Sequence, residues 1–198
     1  MISPPVLLAL LSFTLVATIT PGPNNLMLMA SGANFGFRRT LPHMLGILVG
    51  FSLMILLVGM GLMALFDAAP MLHTVLKLAS VAYLLWLAWK VASAPPPDRA
   101  DVEGRPLTFL QAAAFQWVNP KAWAMGLSAI TLYAPDRSLA SVLMVAAAFA
   151  FVCFPAISLW AWIGTVVRRW LSNSRRLRLF NVTMALMLVA SLYPVLRL

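Results

Sequence analysis

Long apolar runs separated by short polar segments dominate the pattern along this chain. A helix needs about 20 predominantly apolar residues to cross the roughly 30 Å hydrocarbon core of a bilayer. Six runs reach that length, and the first and fourth are interrupted near their centres by proline and asparagine. The predicted membrane-spanning segments are Pro4 to about Ser31, Leu41–Phe66, Pro70–Val91, Leu107–Tyr133, Leu139–Val167 and Leu177–Leu196.

The stretch ASAPPPDRADVEGRP, between the third and fourth runs, is the one long polar linker in the sequence. Its prolines and mixed charges are typical of a solvated loop. We therefore divide the chain into a first three-helix repeat at residues 1–93, a linker at 94–106 and a second three-helix repeat at 107–198. Because three spans are an odd number, the second repeat enters the membrane with the opposite orientation. The predicted fold is an all-α integral membrane protein with two inverted repeats in one membrane domain.

The composition agrees with a chain that is surrounded by lipid. It is 62% hydrophobic and 10% charged, with a mean hydropathy of +0.92, whereas soluble domains are about half apolar and about one quarter charged. The net charge of +9 could suggest a nucleic-acid partner. The basic residues, however, flank the apolar runs and form no interleaved patch, so we expect a lipid bilayer and no nucleic acid.

Basic residues also predict the orientation. They follow the first, third and fifth spans, at Arg38, Arg39, Lys90 and Arg105 and in a cluster between residues 168 and 178. Since Lys and Arg collect on the cytoplasmic side of a membrane, both termini are predicted to lie on the opposite side. The first run has no basic segment before it and no small-residue cleavage site after it, so we interpret it as a retained helix and not as a signal peptide.

The interruptions in the first and fourth spans are the strongest functional signal. ATITPGPNNLM in the first repeat corresponds in position to FQWVNPKAWAM in the second. Broken helix at membrane depth is tolerated only where it faces protein or a water-filled cavity, and breaks at matching positions of two inverted repeats indicate a transporter's binding site. A pair of ordinary proline kinks is the alternative interpretation.

The chemistry of the breaks suits a zwitterion. The helix that starts after Pro23 offers free N–H groups for a carboxylate, and the carbonyls of residues 17–20 lose their usual donors and could accept an ammonium. Lys121, about 21 Å along the fourth span at 1.5 Å per residue, could hold a carboxylate, titrate during transport, or bond loose carbonyls. The predicted substrate-binding residues are Pro21, Gly22, Pro23, Asn24, Asn25, Asn119, Pro120 and Lys121.

Four further residues are candidates for ion coupling or for the wall of a pocket, namely Lys77, His43, Trp117 and Trp123. The alternatives are a snorkelling lysine, an interfacial histidine and tryptophans that only fill space. Gly46 and Gly50 predict close helix packing, within the chain or in a homodimer. All five acids lie in loops or at span ends, and the single cysteine, Cys153, is predicted to be a small buried apolar side chain. We therefore expect no metal site and no cofactor.

The segments TPGPNNLMLMASGANFGFRRTLPHMLGI and QWVNPKAWAMGLSA resemble the LysE/RhtB family of bacterial amino-acid exporters. LKLASVAYLLWLAW resembles the third-helix segment of that family, and the resemblance extends over essentially the whole chain. It implies a six-helix inner-membrane protein that exports amino acids or derivatives by proton antiport, with Pro21, Gly22, Pro23, Asn24, Asn119, Pro120 and Lys121 as motif positions. One departure is that many relatives have an acid in the second helix where this chain has Gly50 and Phe51, which puts the usual coupling in question.

The sequence therefore predicts an exporter of amino acids or close derivatives that works by alternating access. Because the predicted spans have no acid in their central part that could pair with a basic side chain, we expect neutral or small polar amino acids as substrates and not lysine or arginine. An exporter of a metal or another small metabolite and a non-transporting membrane scaffold are the alternatives. An intramembrane enzyme would need a nucleophile or a metal set at depth, and the sequence offers neither.

Overall fold

The computed structural model describes residues 4–69, 71–94, 105–171 and 173–193, and all regular secondary structure in these ranges is helical. Most of the predicted linker, Pro70 at the predicted start of the third span, and the end of the sixth span lie outside the described residues. The helices are α1 (Pro4–Ile19), α2 (Pro23–Phe35), α3 (Phe37–Leu57), a π-helical turn (Val58–Leu62), α4 (Met63–Ala68), α5 (Met71–Ala92), α6 (Phe109–Val118), α7 (Pro120–Tyr133), α8 (Leu139–Arg168) and α9 (Ser174–Ala190).

Within the described residues, three helices are long and apolar enough to cross a membrane. They are α3 with the turn that follows it, α5 and α8. The pair α1 and α2 makes a fourth if it is counted as one span, and its two halves are bent by 55° at the break. The all-helical class is therefore confirmed, while six spans remain a prediction. The fourth predicted span is split into helices of 10 and 14 residues, and α9 has 17 residues of which the first turns are rich in arginine.

The structure corrects two predicted boundaries. The first span does not end near Ser31, because α2 continues to Phe35 and is joined to α3 by Gly36 alone. Gly36 has φ of 82°, a conformation that favours glycine at such a sharp junction. The predicted second span, in turn, is not continuous to Phe66, because the chain kinks at Gly61, where φ is 102°.

Glycines bring helices of the N-terminal and C-terminal halves of the chain into backbone contact. A Cβ atom at Gly32 would lie 2.1 Å from the carbonyl oxygen of Ala161, and one at Gly164 would lie 2.1 Å from that of Met29, so α2 and α8 pack at the closest possible distance. Gly46 and Gly50 of α3 pack in the same way against α6. These two glycines are covered by the chain's own helix and so offer no face for a homodimer.

The core lies where α1, α3, α7 and α8 meet. Phe149 of α8 is fully buried there and makes edge-to-face contacts with Phe13 and Phe51, at ring-centroid distances of 6.3 and 5.2 Å. The outer faces of the helices are apolar as well, with Leu110 and Phe151 about three-quarters exposed. An apolar exterior around a packed core is what a lipid solvent requires.

Candidate functional site

The two broken segments meet in space, although they are far apart in the sequence. The Nζ atom of Lys121, in the first turn of α7, donates to the carbonyl oxygen of Thr20 at 2.5 Å and to that of Pro21 at 3.5 Å. Asn24 and Gln116 form a reciprocal amide pair, with N···O distances of 2.8 and 3.2 Å. The interruptions in the two halves of the chain are therefore in direct contact.

The local sequence explains why both helices break here. Pro21 and Pro23 have no N–H group, so they cannot continue the hydrogen-bond ladder of α1. Pro23 and Pro120 each occupy the first position of a new helix, where the missing N–H costs nothing. The side chain of Asn119 accepts from the backbone N–H of Lys121 at 3.1 Å and so caps the start of α7.

Carbonyl groups at the end of α1 are satisfied by side chains. Asn25 donates to the carbonyls of Thr18 and Thr20, at 2.7 and 2.9 Å. The indole of Trp160, on α8, donates to the carbonyl of Ile19 at 3.1 Å. Of the carbonyl oxygens at residues 17–20 that the sequence predicted as acceptors for a bound ammonium, those of Thr18, Ile19 and Thr20 thus accept from the protein's own amide, indole and ammonium groups.

Gly22 provides the space that the side chain of Lys121 fills. A Cβ atom at this position would lie 2.6 Å from Cδ of Lys121 and 3.1 Å from Nζ. The backbone of Gly22 is extended, with φ of −174° and ψ of 177°, so any residue could adopt it. The requirement for glycine here is therefore the approach of Lys121 and not the backbone conformation.

A small cavity of about 30 Å³ lies between the two breaks. That volume holds about one or two water molecules and is too small for an amino acid. Amide side chains, Lys121, and the apolar side chains of Phe51 and Ile157 form its wall, together with Cys153. Lys121 is the one charged residue among the described residues that line it.

The eight residues that were predicted to bind substrate form the two breaks, and five of them line the cavity between the breaks: Gly22, Asn24, Asn25, Asn119 and Lys121. Pro21, Pro23 and Pro120 are not among its lining residues, and Pro120 lines a different cavity. The other four candidates lie elsewhere. Trp123 donates its indole N–H to the carbonyl of Trp117 at 2.8 Å, and it lines, with Pro120 and Lys77, a separate cavity of about 600 Å³. That cavity lies on another face of α7 from the one that carries the Lys121 side chain.

His43 is buried within the protein, whereas its position near a span end predicted an interfacial histidine. It is 1% exposed and lines a third cavity, of about 440 Å³, beside α2, α3 and α5. Neither ring nitrogen has a hydrogen-bond partner among the described residues.

Three residues of the site were missed by sequence reasoning. Gln116 could have been found, because it is an amide one helical turn before Asn119 in a predicted membrane span. Cys153 is buried, as predicted, but it also lines the cavity. Trp160, which belongs to α8, donates a hydrogen bond to the carbonyl of Ile19 at the end of α1. Nothing in the local sequence of α8 indicates which of its faces meets the breaks.

Metal ligands are sparse in the described ranges, where no group of three or more His, Cys, Asp or Glu side chains lies close enough to hold an ion. The donors at the breaks are amides, carbonyls and one ammonium. Such a set can hold the ammonium and carboxylate of a zwitterion.

Comparison with known proteins gives a consistent result. The family model described as LysE type translocator matches residues 15–191. The chain is 30% identical, over 189 residues, to proteins named cysteine/O-acetylserine efflux protein from Escherichia coli (strain K12) and Shigella sonnei (strain Ss046). It is 29% identical to the protein of that name from Escherichia coli O139:H28 (strain E24377A / ETEC). Each match covers 94% of this chain and 95% of the relative. No solved structure matches the chain significantly.

Proposed function

Because the chain belongs to the LysE type translocator family, we propose that it exports small neutral amino acids or their close derivatives from the cytoplasm. The description of the family as one of translocators supports a transporter. The observation that carries the proposal is the contact between Lys121 and the carbonyls of the first break. It joins the two interrupted spans at one site that is suited to a zwitterion.

The lining of the site supports a neutral substrate. A lysine or arginine side chain would need a carboxylate, and none stands among the described lining residues. Relatives named for the efflux of cysteine and O-acetylserine point to the same class of small, uncharged side chains. The apolar wall at Phe51 and Ile157 would contact such a side chain, and the amides would bind the two charged groups.

In our mechanism, the substrate's ammonium competes with the ammonium of Lys121. Lys121 holds the carbonyls of Thr20 and Pro21 while the cavity is closed to about 30 Å³. An entering amino acid would replace Lys121 at these carbonyls, and its carboxylate would meet the first N–H groups of α2. Gly22, at the start of α2, offers no side-chain cap for those groups, and the positive end of the helix dipole favours an anion there. Displacement of Lys121 would open the site, and its return would expel the substrate.

This role for Lys121 differs from the carboxylate contact that the sequence suggested. A lysine ammonium and a substrate ammonium are chemically equivalent, so both fit the same carbonyls. Once displaced, Lys121 is free to attract the substrate's carboxylate. Proton antiport would follow if Lys121 releases a proton while it is displaced, and the family resemblance supports that coupling.

We place this mechanism in a six-span inverted repeat with alternating access, built from residues 1–93 and 107–198 and the linker between them. Helix contacts support the pseudo-symmetry: α3 packs on its counterpart α8, α5 packs on its counterpart α9, and each broken span packs on a helix of the other repeat. The distribution of basic residues supports both termini on the outer side of a bacterial inner membrane.

An export assay tests the proposal. Cells that express the protein would be loaded with a mixed dipeptide feed, and every amino acid in the medium would be quantified by mass spectrometry. We expect faster release of one or a few small neutral amino acids, lost in Lys121→Ala at matched membrane abundance. Lys121→Arg serves as the control that keeps a cation at this position. Unchanged release across the whole panel, or wild-type export by Lys121→Ala, would overturn the proposed function.

A further inference from the structure

The cavity next to His43 is separate from the site at the breaks. It has a volume of about 440 Å³ and lies between α2, α3, the end of α5 and the segment before α6. Lys90 and Arg105, two of the basic residues that predict the cytoplasmic side, are among its lining residues. None of the eight residues at the breaks lines it.

His43 is an unsatisfied polar group in the wall of this cavity. Its neighbours have partners: Ser31 and Thr40 share a hydrogen bond at 2.9 Å, and Asn34 pairs with Asn181 through two bonds at 2.8 and 3.1 Å. The imidazole, in contrast, is buried and has no partner at either nitrogen within the described part of the chain. A buried polar group without a partner is rare in a folded protein, and it calls for a functional or structural explanation.

The charge around the imidazole is positive. Lys90 and Arg105 line the same cavity, and the described lining residues include no acid. Lys90 is half-buried, and its ammonium lies over the ring of Trp86 at 5.3 Å. A guanidinium, an ammonium and an imidazole N–H are all donors, so the cavity is complementary to an oxyanion.

One face of α2 connects this cavity with the breaks. Asn24 lies in the substrate site, while Met27 and Ser31, one and two turns further along the same face, line the His43 cavity. At 1.5 Å per residue, the distance along the helix from Asn24 to Ser31 is about 10 Å. A small solute bound at His43 would therefore lie next to the site at the breaks, on its basic side.

We propose that the His43 cavity is a second binding site, which holds the carboxylate of the transported solute through His43, Lys90 and Arg105 before the solute reaches the breaks. The carboxylate assignment rests on the proposed function. The site concentrates the solute on the side from which it enters, and the two cations accelerate the capture of its carboxylate.

The two histidines of the chain make the site measurable. The His73→Gln variant would be labelled with ¹⁵N-histidine and purified in a neutral detergent without anionic lipid. Acetate, the carboxylate alone, would then be titrated while the ring resonances of His43 are followed by NMR. We expect a saturable shift with acetate and no shift with acetamide, which has the same size but no charge.

Variants separate this site from the site at the breaks. The combined change Lys90→Gln and Arg105→Gln is expected to weaken acetate binding about tenfold or more, since each removes a hydrogen bond to a charged group. Arg178→Gln, which removes a basic residue that lines another cavity at this side of the membrane, should bind acetate as the parent does. Lys121→Ala should also keep the acetate response while it loses export.

Other outcomes overturn the proposal. It fails if acetate leaves the His43 resonances unchanged while the protein still exports amino acids, and in that case the proposed function stands. It also fails if phosphatidylglycerol in mixed micelles shifts these resonances and acetate does not, because the cavity is then a lipid headgroup site. A saturable acetate response in a protein that exports no amino acid would uphold the anion site and overturn the proposed function.

Discussion

Gly22→Ala is the substitution that most directly tests the contact between the two breaks. The added methyl group would lie 2.6 Å from Cδ of Lys121, which is closer than two carbon atoms can approach, so the lysine side chain must move. The backbone does not resist the change, because Gly22 is extended. The effect of the substitution is therefore the loss of the bond from Lys121 to Thr20.

The magnitude follows from the kind of bond that is lost. A hydrogen bond to a charged group contributes about 1.5–3 kcal/mol. Because this bond is partly accessible to solvent, we take the lower end, about 1.5 kcal/mol, since solvent screens exposed charges. At 1.4 kcal/mol per factor of ten, the closed conformation would lose about tenfold in population relative to the open one.

The rate at which the thiol of Cys153 reacts measures the population of the open conformation. It is the only cysteine of the chain, it is 4% exposed, and it lines the cavity between the breaks. A small methanethiosulfonate reagent should therefore label its thiol only when the cavity opens. We expect Gly22→Ala to label about tenfold faster than the wild type, as measured by mass spectrometry of the intact protein.

Two controls make the result interpretable. Gly126→Ala also adds a methyl group to a buried glycine, but its nearest neighbour would be 3.8 Å away, an ordinary contact, so labelling should stay at the wild-type rate. In a Lys121→Ala background, Gly22→Ala should add nothing further, because the group that it displaces is absent. If Gly22→Ala labels at the wild-type rate, or acts equally strongly without Lys121, then Lys121 does not hold the cavity closed.

Three further predictions concern stability, each measured by thermal unfolding in detergent. Asn25→Asp replaces the donor of two hydrogen bonds to carbonyls with a carboxylate oxygen, and should lower the free energy of unfolding by about 2–4 kcal/mol; an unchanged midpoint would refute this role. Gly164→Ala forces α2 and α8 apart and should cost about 1–3 kcal/mol, whereas Gly126→Ala should not destabilise. Asn34→Leu leaves the Asn181 amide without its partner and should cost about 1–3 kcal/mol, while the double change to leucine should recover part of that loss; equal or greater damage in the double variant would contradict the pairing.

The helical class and the positions of the breaks were predictable, because both depend on local properties of the sequence. Apolar runs of spanning length require helices in lipid. Two prolines around a glycine, or a proline after a capping asparagine, favour the end of one helix and the start of another, whereas the single prolines Pro42 and Pro155 lie inside α3 and α8. The predicted interruption at residues 21–23 agrees with the end of α1 and the start of α2. The interruption at 119–120 agrees with the end of α6 and the start of α7.

Contacts between residues that are far apart in the sequence were not predictable. The sequence shows which groups are polar, but it does not show which of them form hydrogen bonds with each other. The sequence left three roles open for Lys121, namely a carboxylate contact, a titrating group and a donor to loose carbonyls, and it could not show that the carbonyls it meets lie 100 and 101 residues earlier. Gly46 and Gly50 were correctly read as packing positions, but the partner helix, α6, could not be identified from spacing alone. His43 looked interfacial because its place in the sequence is near a span end, and only packing shows that it is buried.

The reciprocal amide pairs have a consequence for the way this chain is made. The hydrogen-bond partner of Asn24 is Gln116, 92 residues later in the chain, and that of Asn34 is Asn181, 147 residues later. At a synthesis rate of about 5–20 residues per second, the first of these delays is about 5–20 seconds. During that interval the broken first span is in or near the membrane with amides that lack their final partners, a state that hydrocarbon disfavours. The ribosome thus delivers the amides of Asn24 and Asn34 before their partners, and water or the insertion machinery must solvate these amides until the C-terminal half of the chain is made.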